Sequence, residues 1–312
     1  MKMGIAIIGL MLANAAWAGL ADSYPGDVGL CADPAVVFCD DFESYADTAA
    51  LLDSANWDAK QLSVTLGIDS PSVSSGTKSA RFDAVNGGDT GGTLFVDIAD
   101  NDTLFYRYYV KYGPGFAGAG HSGVWGGGRL TPNGFPWGDA GSAPTEKHWI
   151  LFQPWASGRL DMYGYFANMG CITFPTTCFG NSFIQDAGLV YESDAWHLVE
   201  FMVKMNSPNT STNGELRLWY DGVEIIYYGD GFPNATDASG LWTPDTNGPF
   251  PGFEWTTSAA DHSNNMVWIS LFEPSSTLNM SVDDLVVATQ YIGPISSGAS
   301  VRGAAITGGS IQ

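Results

Sequence analysis

The sequence predicts an all-β protein, an antiparallel β-sandwich of the jelly-roll type. The 39 glycines and an aromatic content of 13% suit many turns between strands that bury rings. Only 14% of the residues are charged, which fits a large β core better than charged surface helices. No segment of helical length separates the strand-like stretches, so parallel β-α-β units are excluded.

Strand-like stretches run along most of the chain, separated by clusters of Gly, Pro, Asn and Asp. The predicted strands are Val36–Glu43, Ser79–Phe82, Gly92–Ile98, Thr103–Tyr112, His148–Pro154, Arg159–Phe166, Trp196–Met205, Glu215–Tyr220, Val223–Tyr228, Met266–Phe272 and Met280–Tyr291. Asp221-Gly222 predicts a tight hairpin turn, because both residues tolerate positive φ angles. One short helix is predicted within Thr48–Trp57. Gly113–Lys147 and Gly229–Ser263 are predicted to be long loops, which in a compact domain are usually functional.

The N-terminus has the features of a secretory signal peptide. Lys2 supplies a positive start, the apolar run Gly4–Leu12 follows, and Ala16-Trp17-Ala18 forms a small-x-small cleavage site. The apolar run is too short to span a bilayer, although a membrane anchor or a cytosolic helix is the alternative. The predicted organisation is a leader (1–18), a jelly-roll domain (19–295) and a flexible tail (296–312). We expect a secreted or periplasmic monomer.

The cysteines fall into two local pairs, Cys31 with Cys39 and Cys171 with Cys178. In a secreted chain each pair is expected to close a small loop through a disulfide bond. A zinc site is the alternative, but no Cys-x-x-Cys spacing and no adjacent histidine supports it.

The formal net charge is −21. This charge argues against nucleic acid and anionic membranes as partners, because both are bound through clustered Lys and Arg. Most of the cations lie in the middle of the chain: Arg107, Lys111, Arg129, Lys147, Arg159, Lys204 and Arg217. An anionic substrate would therefore bind to this middle part.

Two predicted strands present charged and aromatic side chains on one face, because side chains alternate along a strand. The first face carries Phe105, Arg107, Tyr109 and Lys111, and the second carries Ser157, Arg159, Asp161, Tyr163 and Tyr165. We expect the two strands to form the floor of one groove. The alternative is an ordinary solvated face covered by tyrosine side chains.

A cationic and aromatic groove suits a polymer of uronic acids. Cleavage by β-elimination needs a cation or hydrogen-bond donor at the sugar carboxylate, a base for the adjacent carbon-bound proton, and an acid for the leaving oxygen. The planar guanidinium of Arg matches a carboxylate. Tyr and His serve as acid or base once their pKa is tuned.

His121 is the candidate base that lies outside the predicted strands. It belongs to the segment Phe116–Gly128, whose glycines let the backbone approach a ligand closely, and Trp125 lies in the same segment. The alternative is a merely exposed loop histidine. His148 and His197 are predicted to be structural, and the role of His262 is left open.

Several stretches resemble the concanavalin A-like alginate and glucuronan lyases. They are Phe105–Phe116 with the Gly-rich segment up to Gly128, Trp196–Pro208, Asn213–Gly222 and Val282–Val287. The resemblance implies a jelly roll whose concave sheet binds polysaccharide, with a cleft lined by Ser157, Arg159, Tyr163 and Tyr165. The alginate enzymes carry a Lys in the Gly-rich loop, where this chain has Gly120 with His121 beside it. Some relatives use a His in this region.

Jelly rolls of this broad class often hold a structural Ca²⁺ where the first and last strands pair. The resemblance therefore implies Asp41, Glu43 and Asp284 as ligands, because Ca²⁺ prefers hard oxygen atoms. Two separate, solvated carboxylate clusters are the alternative. No organic cofactor is expected.

Glycoside hydrolysis requires two carboxylates on either side of the scissile bond. The strand signature of the related glucanases is absent, since Glu200, Glu215 and Glu224 stand apart in the sequence. Hydrolysis is therefore the weaker hypothesis.

We predict a secreted polysaccharide lyase that cleaves alginate or glucuronan by β-elimination. The predicted catalytic residues are His121, Tyr163, Tyr165 and Arg159. The predicted substrate contacts are Arg107, Tyr109, Lys111, Trp125 and Ser157. The alternative is a non-catalytic, lectin-like protein that binds a glycan by stacking on Trp and Tyr.

Overall fold

The computed structural model describes residues 17–61, 64–70, 76–84, 90–116, 121–130, 141–154, 158–171, 178–183, 190–229, 235–237, 242–244, 252–257, 260–272 and 277–296. Within these ranges the strands, in chain order, are β1 (Val36–Asp40), β2 (Ala59–Gln61), β3 (Val64–Gly67), β4 (Ser79–Ala84), β5 (Thr90–Asn101), β6 (Thr103–Tyr112), β7 (Ser122–Arg129), β8 (Lys147–Pro154), β9 (Leu160–Tyr165), β10 (Asn181–Ser182), β11 (Trp196–Lys204), β12 (Glu215–Tyr220), β13 (Val223–Tyr228), β14 (Ala235–Asp237), β15 (Trp242–Pro244), β16 (Asn264–Phe272) and β17 (Leu278–Ala288). A short helix, α1 (Thr48–Asp53), and the 3-10 turns Leu20–Ser23, Pro25–Asp27 and Leu30–Ala32 accompany them.

The strands form two large antiparallel sheets. Sheet I has the order β13-β12-β11-β6-β17-β4-β3, with β1 paired to β17, and sheet II has the order β10-β9-β8-β7-β16-β5-β2. β14 and β15 pair only with each other. Both sheets bring together strands that are distant in the chain, such as β11, β6 and β17 in sheet I and β7, β16 and β5 in sheet II, as in a jelly roll, so the predicted fold class is confirmed.

The core lies between the two sheets and follows from strand alternation. On β6 the residues that face inward are fully or almost fully buried: Leu104, Tyr106, Tyr108, Val110 and Tyr112. Apolar side chains of sheet II, such as Val124, Ile150 and Met162, pack against them from the opposite side of the core. The Tyr106 hydroxyl also accepts a hydrogen bond from the Gly127 amide at 3.2 Å, which joins the sheets directly.

The prediction of one long loop from Gly113 to Lys147 is wrong, because Ser122–Arg129 forms β7 in the middle of sheet II. The glycines of β7 lie where neighbouring atoms leave no space for a side chain. A Cβ at Gly126 would lie 2.7 Å from the rings of Phe201 and Tyr106, and one at Gly128 would lie 1.6 Å from the Ser263 carbonyl oxygen. Glycine weakens a strand locally, but close backbone packing decides the outcome here.

Other local predictions are confirmed. β6, β12 and β13 begin and end where alternation predicts, and Asp221 and Gly222 have φ angles of 50° and 77°, as a primed hairpin turn requires. Helix α1 begins after Asp47, whose side chain accepts a hydrogen bond from the Ala50 amide at 2.9 Å.

Both predicted disulfide bonds form, Cys31 with Cys39 and Cys171 with Cys178. The predicted signal peptide lies largely outside the described residues, which begin at Trp17. Among the residues that the structure describes, we find no helix of the length and apolar character that crossing a membrane would need.

Candidate functional site

The outer face of sheet II collects polar and aromatic side chains from three adjacent strands. β8 and β9 pair in a register that sets Trp149 opposite Tyr165, Leu151 opposite Tyr163 and Gln153 opposite Asp161. All six side chains point to the same face, because each pair is two residues from the next. The alternation predicted for β9 thus holds.

His121 lies at one end of this face, immediately before β7. Its carbonyl accepts a hydrogen bond from the Phe272 amide at 2.9 Å, which fixes the backbone where β7 meets β16. The imidazole stacks on the Tyr163 ring, with 4.6 Å between centroids and 17° between planes. His121 is half-buried.

The tautomer of His121 follows from its contact with Gln153. His121 Nδ1 lies 3.2 Å from Gln153 Oε1, and a carbonyl oxygen can only accept, so Nδ1 carries the proton. When the ring is neutral, its lone pair is therefore on Nε2. A neutral imidazole in this form can act as a base through Nε2.

Gln153 is a site residue that the sequence reasoning missed. Its side chain is fully buried, and its Nε2 atom has no hydrogen-bond partner among the described residues. A buried donor without a partner costs about 1–3 kcal/mol, which a bound acceptor such as a sugar oxygen would offset. The available signal was weak: one amide in the apolar run His148–Pro154, on the same side as Trp149.

Tyr163 is held as a protonated phenol. Its hydroxyl oxygen accepts a hydrogen bond from the Gly180 amide at 2.8 Å. Burial raises the pKa of Tyr163 far above its ordinary value, and the neighbouring Tyr165 and Asp161 raise it further. A raised pKa keeps this hydroxyl protonated at neutral pH, so a proton is present there for transfer to a more basic oxygen, and the same shift makes the phenol a weaker acid than an exposed tyrosine.

Indole rings continue the face beside the histidine. The ring centroid of Trp125 lies 4.5 Å from that of Trp149 and 4.1 Å from that of Trp268. The ring centroid of Tyr165 lies 4.6 Å from that of Trp149. The Nε1 atoms of Trp125 and Trp149 are buried and have no hydrogen-bond partner within the described part of the chain. Both rings are almost fully buried in the structure, with Trp125 3% and Trp149 1% exposed.

Arg159 lies one residue before β9, on the alternation that includes Tyr163. It is half-buried, and its backbone bridges to Val190. Its Nε atom makes no hydrogen bond to the residues described. Because β7 and β9 flank β8, Arg159 and His121 lie at the same end of sheet II, with backbones about 10 Å apart. Ser157 lies outside the described residues.

Arg107, Tyr109 and Lys111 lie elsewhere. Their strand, β6, belongs to sheet I, and its outer face points away from that of sheet II. The prediction that the two strands floor one groove is therefore wrong. Alternation is the same on every strand of a sandwich, so it cannot tell which sheet a strand joins.

Each of these three side chains has a partner within the protein. Arg107 is fully buried, pairs with Asp27 and donates to the Asp284 carbonyl at 3.2 Å. The Tyr109 hydroxyl accepts from the Ile295 amide at 3.3 Å. Lys111 pairs with Asp69 and lies over the Trp196 ring, 5.3 Å from its centroid. They do not form the groove predicted from the sequence.

The carboxylates predicted to bind calcium line one cavity of about 230 Å³ between the Pro25–Asp27 turn, β1 and β17. Burial raises the pKa of Asp284 to about 6; Arg107 lowers it, and the like charges of Asp41 and Glu43 add to the increase. Glu43 Oε1 already accepts the Thr77 and Lys78 amides at 2.6 Å.

Among the residues described, no group of three or more His, Cys, Asp or Glu is placed to hold a metal ion. Arg107 also lines the cavity and supplies a positive charge there. The described geometry thus does not match a finished calcium site, and calcium stays a prediction.

Solved structures with the same architecture are alginate lyases. A mutant alginate lyase in complex with an alginate tetrasaccharide superposes with a TM-score of 0.54 at 13% identity, over 83% of this chain and 99% of that chain. The marine PL-14 alginate lyase from Aplysia kurodai gives 0.53 at 14% identity, over 81% and 97%. The alginate lyase of a Chlorella virus gives 0.52 at 12% identity, over 75% and 92%.

The chain has the fold of these lyases. The resemblance to the concanavalin A-like polysaccharide lyases is therefore confirmed for the fold, and identities this low carry no more than the fold. No family model matches the chain, and no curated protein matches it either. The two disulfide bonds are compatible with secretion.

Proposed function

We propose that the protein is a polysaccharide lyase that cleaves a uronic-acid polymer by β-elimination on the outer face of sheet II. The observation that carries the proposal is the contact of His121 with both Gln153 and Tyr163. It brings a base, an amide donor and a protonated phenol together. The fold shared with alginate lyases supports the same substrate class.

In the proposed elimination, two side chains bind the sugar carboxylate, one removes a proton and one donates a proton. The Gln153 amide and the Arg159 guanidinium bind the sugar carboxylate, which makes the adjacent carbon-bound proton more acidic. His121 Nε2 removes that proton, and the electron pair of the C–H bond forms a carbon–carbon double bond. The glycosidic C–O bond breaks, and Tyr163 donates its phenolic proton to the leaving oxygen. The proton on His121 returns to solvent, and Tyr163 is reprotonated.

The test is incubation of the purified protein with alginate and with polyglucuronate while the ultraviolet absorbance of the new unsaturated sugar end is recorded. The proposal predicts rising absorbance with at least one polymer and no rise with a neutral glucan. Absence of any rise with both acidic polymers, from a protein that is folded by circular dichroism, would contradict it.

A non-catalytic glycan-binding protein is the second candidate function. It is favoured by one observation: the cations of β6, predicted to bind carboxylates, lie on the other sheet. This candidate predicts retention on a polysaccharide that is weakened by Trp125→Ala and is insensitive to His121→Ala, with no product formed.

We propose in addition that residues 1–18 are a signal peptide and that the mature chain begins at Gly19. The small-x-small site at Ala16-Trp17-Ala18 and the two disulfide bonds support this. The intact mass of protein secreted from the full chain tests it.

A further inference from the structure

The outer face of sheet I contains an aromatic seat that Trp17, itself 46% exposed, covers in part. The Trp17 ring packs edge-on against Trp219, with 5.6 Å between centroids, and against Tyr291 at 5.8 Å. The Arg217 guanidinium lies 5.1 Å from the Trp17 ring centroid. Trp17 lines one side of a cavity of about 870 Å³, whose other walls include Tyr227 and Gly293 in the segment that follows β17.

Removal of the leader would remove Trp17, and the other residues that line the cavity would remain in place. The residues after the cleavage site are anchored independently of it: the Leu20 amide donates to the Tyr291 carbonyl at 3.0 Å, and the Ala21 amide to the Ile292 carbonyl at 2.9 Å. The Gly19 nitrogen lies 3.1 Å from Asp22 Oδ2. After cleavage this nitrogen would be the α-amino group, so its charge would be paired with that of Asp22.

The opened seat would expose the rings of Trp219 and Tyr291, whose planes are inclined at 45° to each other. Trp219 is only 1% exposed, and its Nε1 atom has no hydrogen-bond partner among the residues that the structure describes. A buried donor of this kind is costly unless a ligand supplies an acceptor. Tyr291 contributes a second ring, 4.9 Å from Trp219.

The charges around the seat are already balanced. Arg217 Nη1 donates to Glu224 Oε1 at 2.7 Å, and the same guanidinium stacks on the Tyr227 ring at 3.8 Å. Asp22 would be paired with the new amino terminus. A uronate carboxylate would therefore meet two carboxylates without an unpaired cation, whereas neutral hydroxyl groups could donate to Asp22 and Glu224.

We propose that the mature protein binds a neutral pyranose ring of a polysaccharide in the place that Trp17 leaves. The apolar face of the sugar stacks on the rings of Trp219 and Tyr291, and a sugar oxygen accepts from Trp219 Nε1. The proposal rests on removal of the leader. Because the seat is on sheet I, such binding does not compete with a polymer bound on sheet II.

The experiment measures retention of the secreted protein in native gels cast with β-glucan, xylan or galactomannan, and with alginate as the acidic comparison. We expect retention by at least one neutral polymer. Trp219→Phe, which keeps a ring but removes the donor, should weaken the apparent affinity about fivefold to tenfold. Trp196→Phe on the same outer face is the matched control and should change nothing. N-acetyl-tryptophanamide, a copy of the departed side chain, should compete.

Four outcomes would overturn the proposal. They are an intact mass that still includes Trp17, no retention by any neutral polymer, retention insensitive to Trp219→Phe and to the competitor, and stronger retention by alginate that is lost with Trp219→Phe. His121→Ala separates this proposal from the lyase function. If His121→Ala abolishes cleavage but still binds the neutral polymer, binding at the seat is independent of the lyase site. If His121→Ala also loses binding to the neutral polymer, that binding takes place on sheet II.

Discussion

The outer faces of the two sheets start from similar sequences and end in opposite structures. β6 alternates Arg107 with Tyr109, and Arg159, immediately before β9, continues the alternation of Tyr163 and Tyr165. On sheet I the chain's own ends cover the face: the 3-10 turns after Gly19 and the residues after β17 pack on it, and Asp27 pairs with Arg107. On sheet II, Arg159 and Gln153 keep polar atoms that have no partner among the described residues.

This difference teaches that a charged strand face indicates a binding site only when its charges are not used within the fold. Glu200 makes the point, since its two carboxylate oxygens accept the Ile292 and Gly293 amides at 2.7 and 2.8 Å. Burial raises its pKa to about 7, yet its hydrogen bonds hold the segment that follows β17. A perturbed carboxyl is structural here, not catalytic.

The largest expected effect is on the histidine of sheet II. His121→Ala should lower the rate of polymer cleavage by about 10²–10⁴-fold, because it removes the proposed general base. The assay is the initial rate of ultraviolet absorbance increase at saturating polymer. The matched control is His197→Ala on sheet I, where His197 Nδ1 pairs with Asp221 at 2.8 Å. Equal losses in the two variants would contradict the division between the faces.

Arg107→Met tests the closed face through stability. Removing one partner of a buried ion pair leaves Asp27 partly buried and uncompensated, so the free energy of unfolding should fall by about 3–5 kcal/mol. Urea unfolding measures it. Arg81→Met is the control, because the pair of Arg81 with Asp83 is exposed and should contribute at most about 1 kcal/mol. If Arg107→Met keeps its stability but loses polymer binding, Arg107 contacts the substrate rather than stabilising the fold.

Tyr163→Phe removes the proposed acid and keeps the ring that stacks on His121. The cleavage rate should fall about 10²-fold, while KM changes little, because the hydroxyl acts on the leaving oxygen. Thermal unfolding controls for the lost contact with the Gly180 amide. Tyr109→Phe on sheet I should leave the rate unchanged. A rate for Tyr163→Phe within twofold of the parent would exclude this residue as the acid.

The smallest expected effect is on acid sensitivity. His262 Nε2 contacts His148 Nδ1 at 2.9 Å, and burial lowers the pKa of His262 to about 4 and of His148 to about 3. Both rings stay neutral when folded, whereas the unfolded chain takes up protons below pH 6.5. The pair therefore contributes stability above that pH that is lost as pH falls.

Glu200 opposes this trend, because its raised pKa lets the folded state bind a proton first as the pH falls below about 7. In His262→Gln the slope of unfolding free energy against pH should decrease by about 1.4 kcal/mol per pH unit between pH 4 and 6.5. Urea unfolding at several pH values measures the slope. An unchanged slope would show that His262 does not titrate on unfolding.

The sequence predicted β6, β12 and β13 of sheet I with their observed bounds, because their side chains alternate and clear turn signals end them, but it missed β3 of the same sheet. It missed β7, whose glycines are chosen for the backbone atoms that they face in neighbouring strands. It identified His121 and Tyr163 separately, through the Gly-rich segment and strand alternation. It missed Gln153, since one amide in an apolar run forms no motif.

The sequence by itself determined the all-β class, the disulfide pairs and the side of each strand to which a residue points, because composition, spacing and alternation are local properties. Only the tertiary structure decided that β6 and β9 join different sheets, that the ends of the chain cover one outer face, and that His121 contacts Gln153 and Tyr163. Those facts depend on pairing between strands far apart in the chain, and the alternation of side chains along a strand does not specify which strand it pairs with.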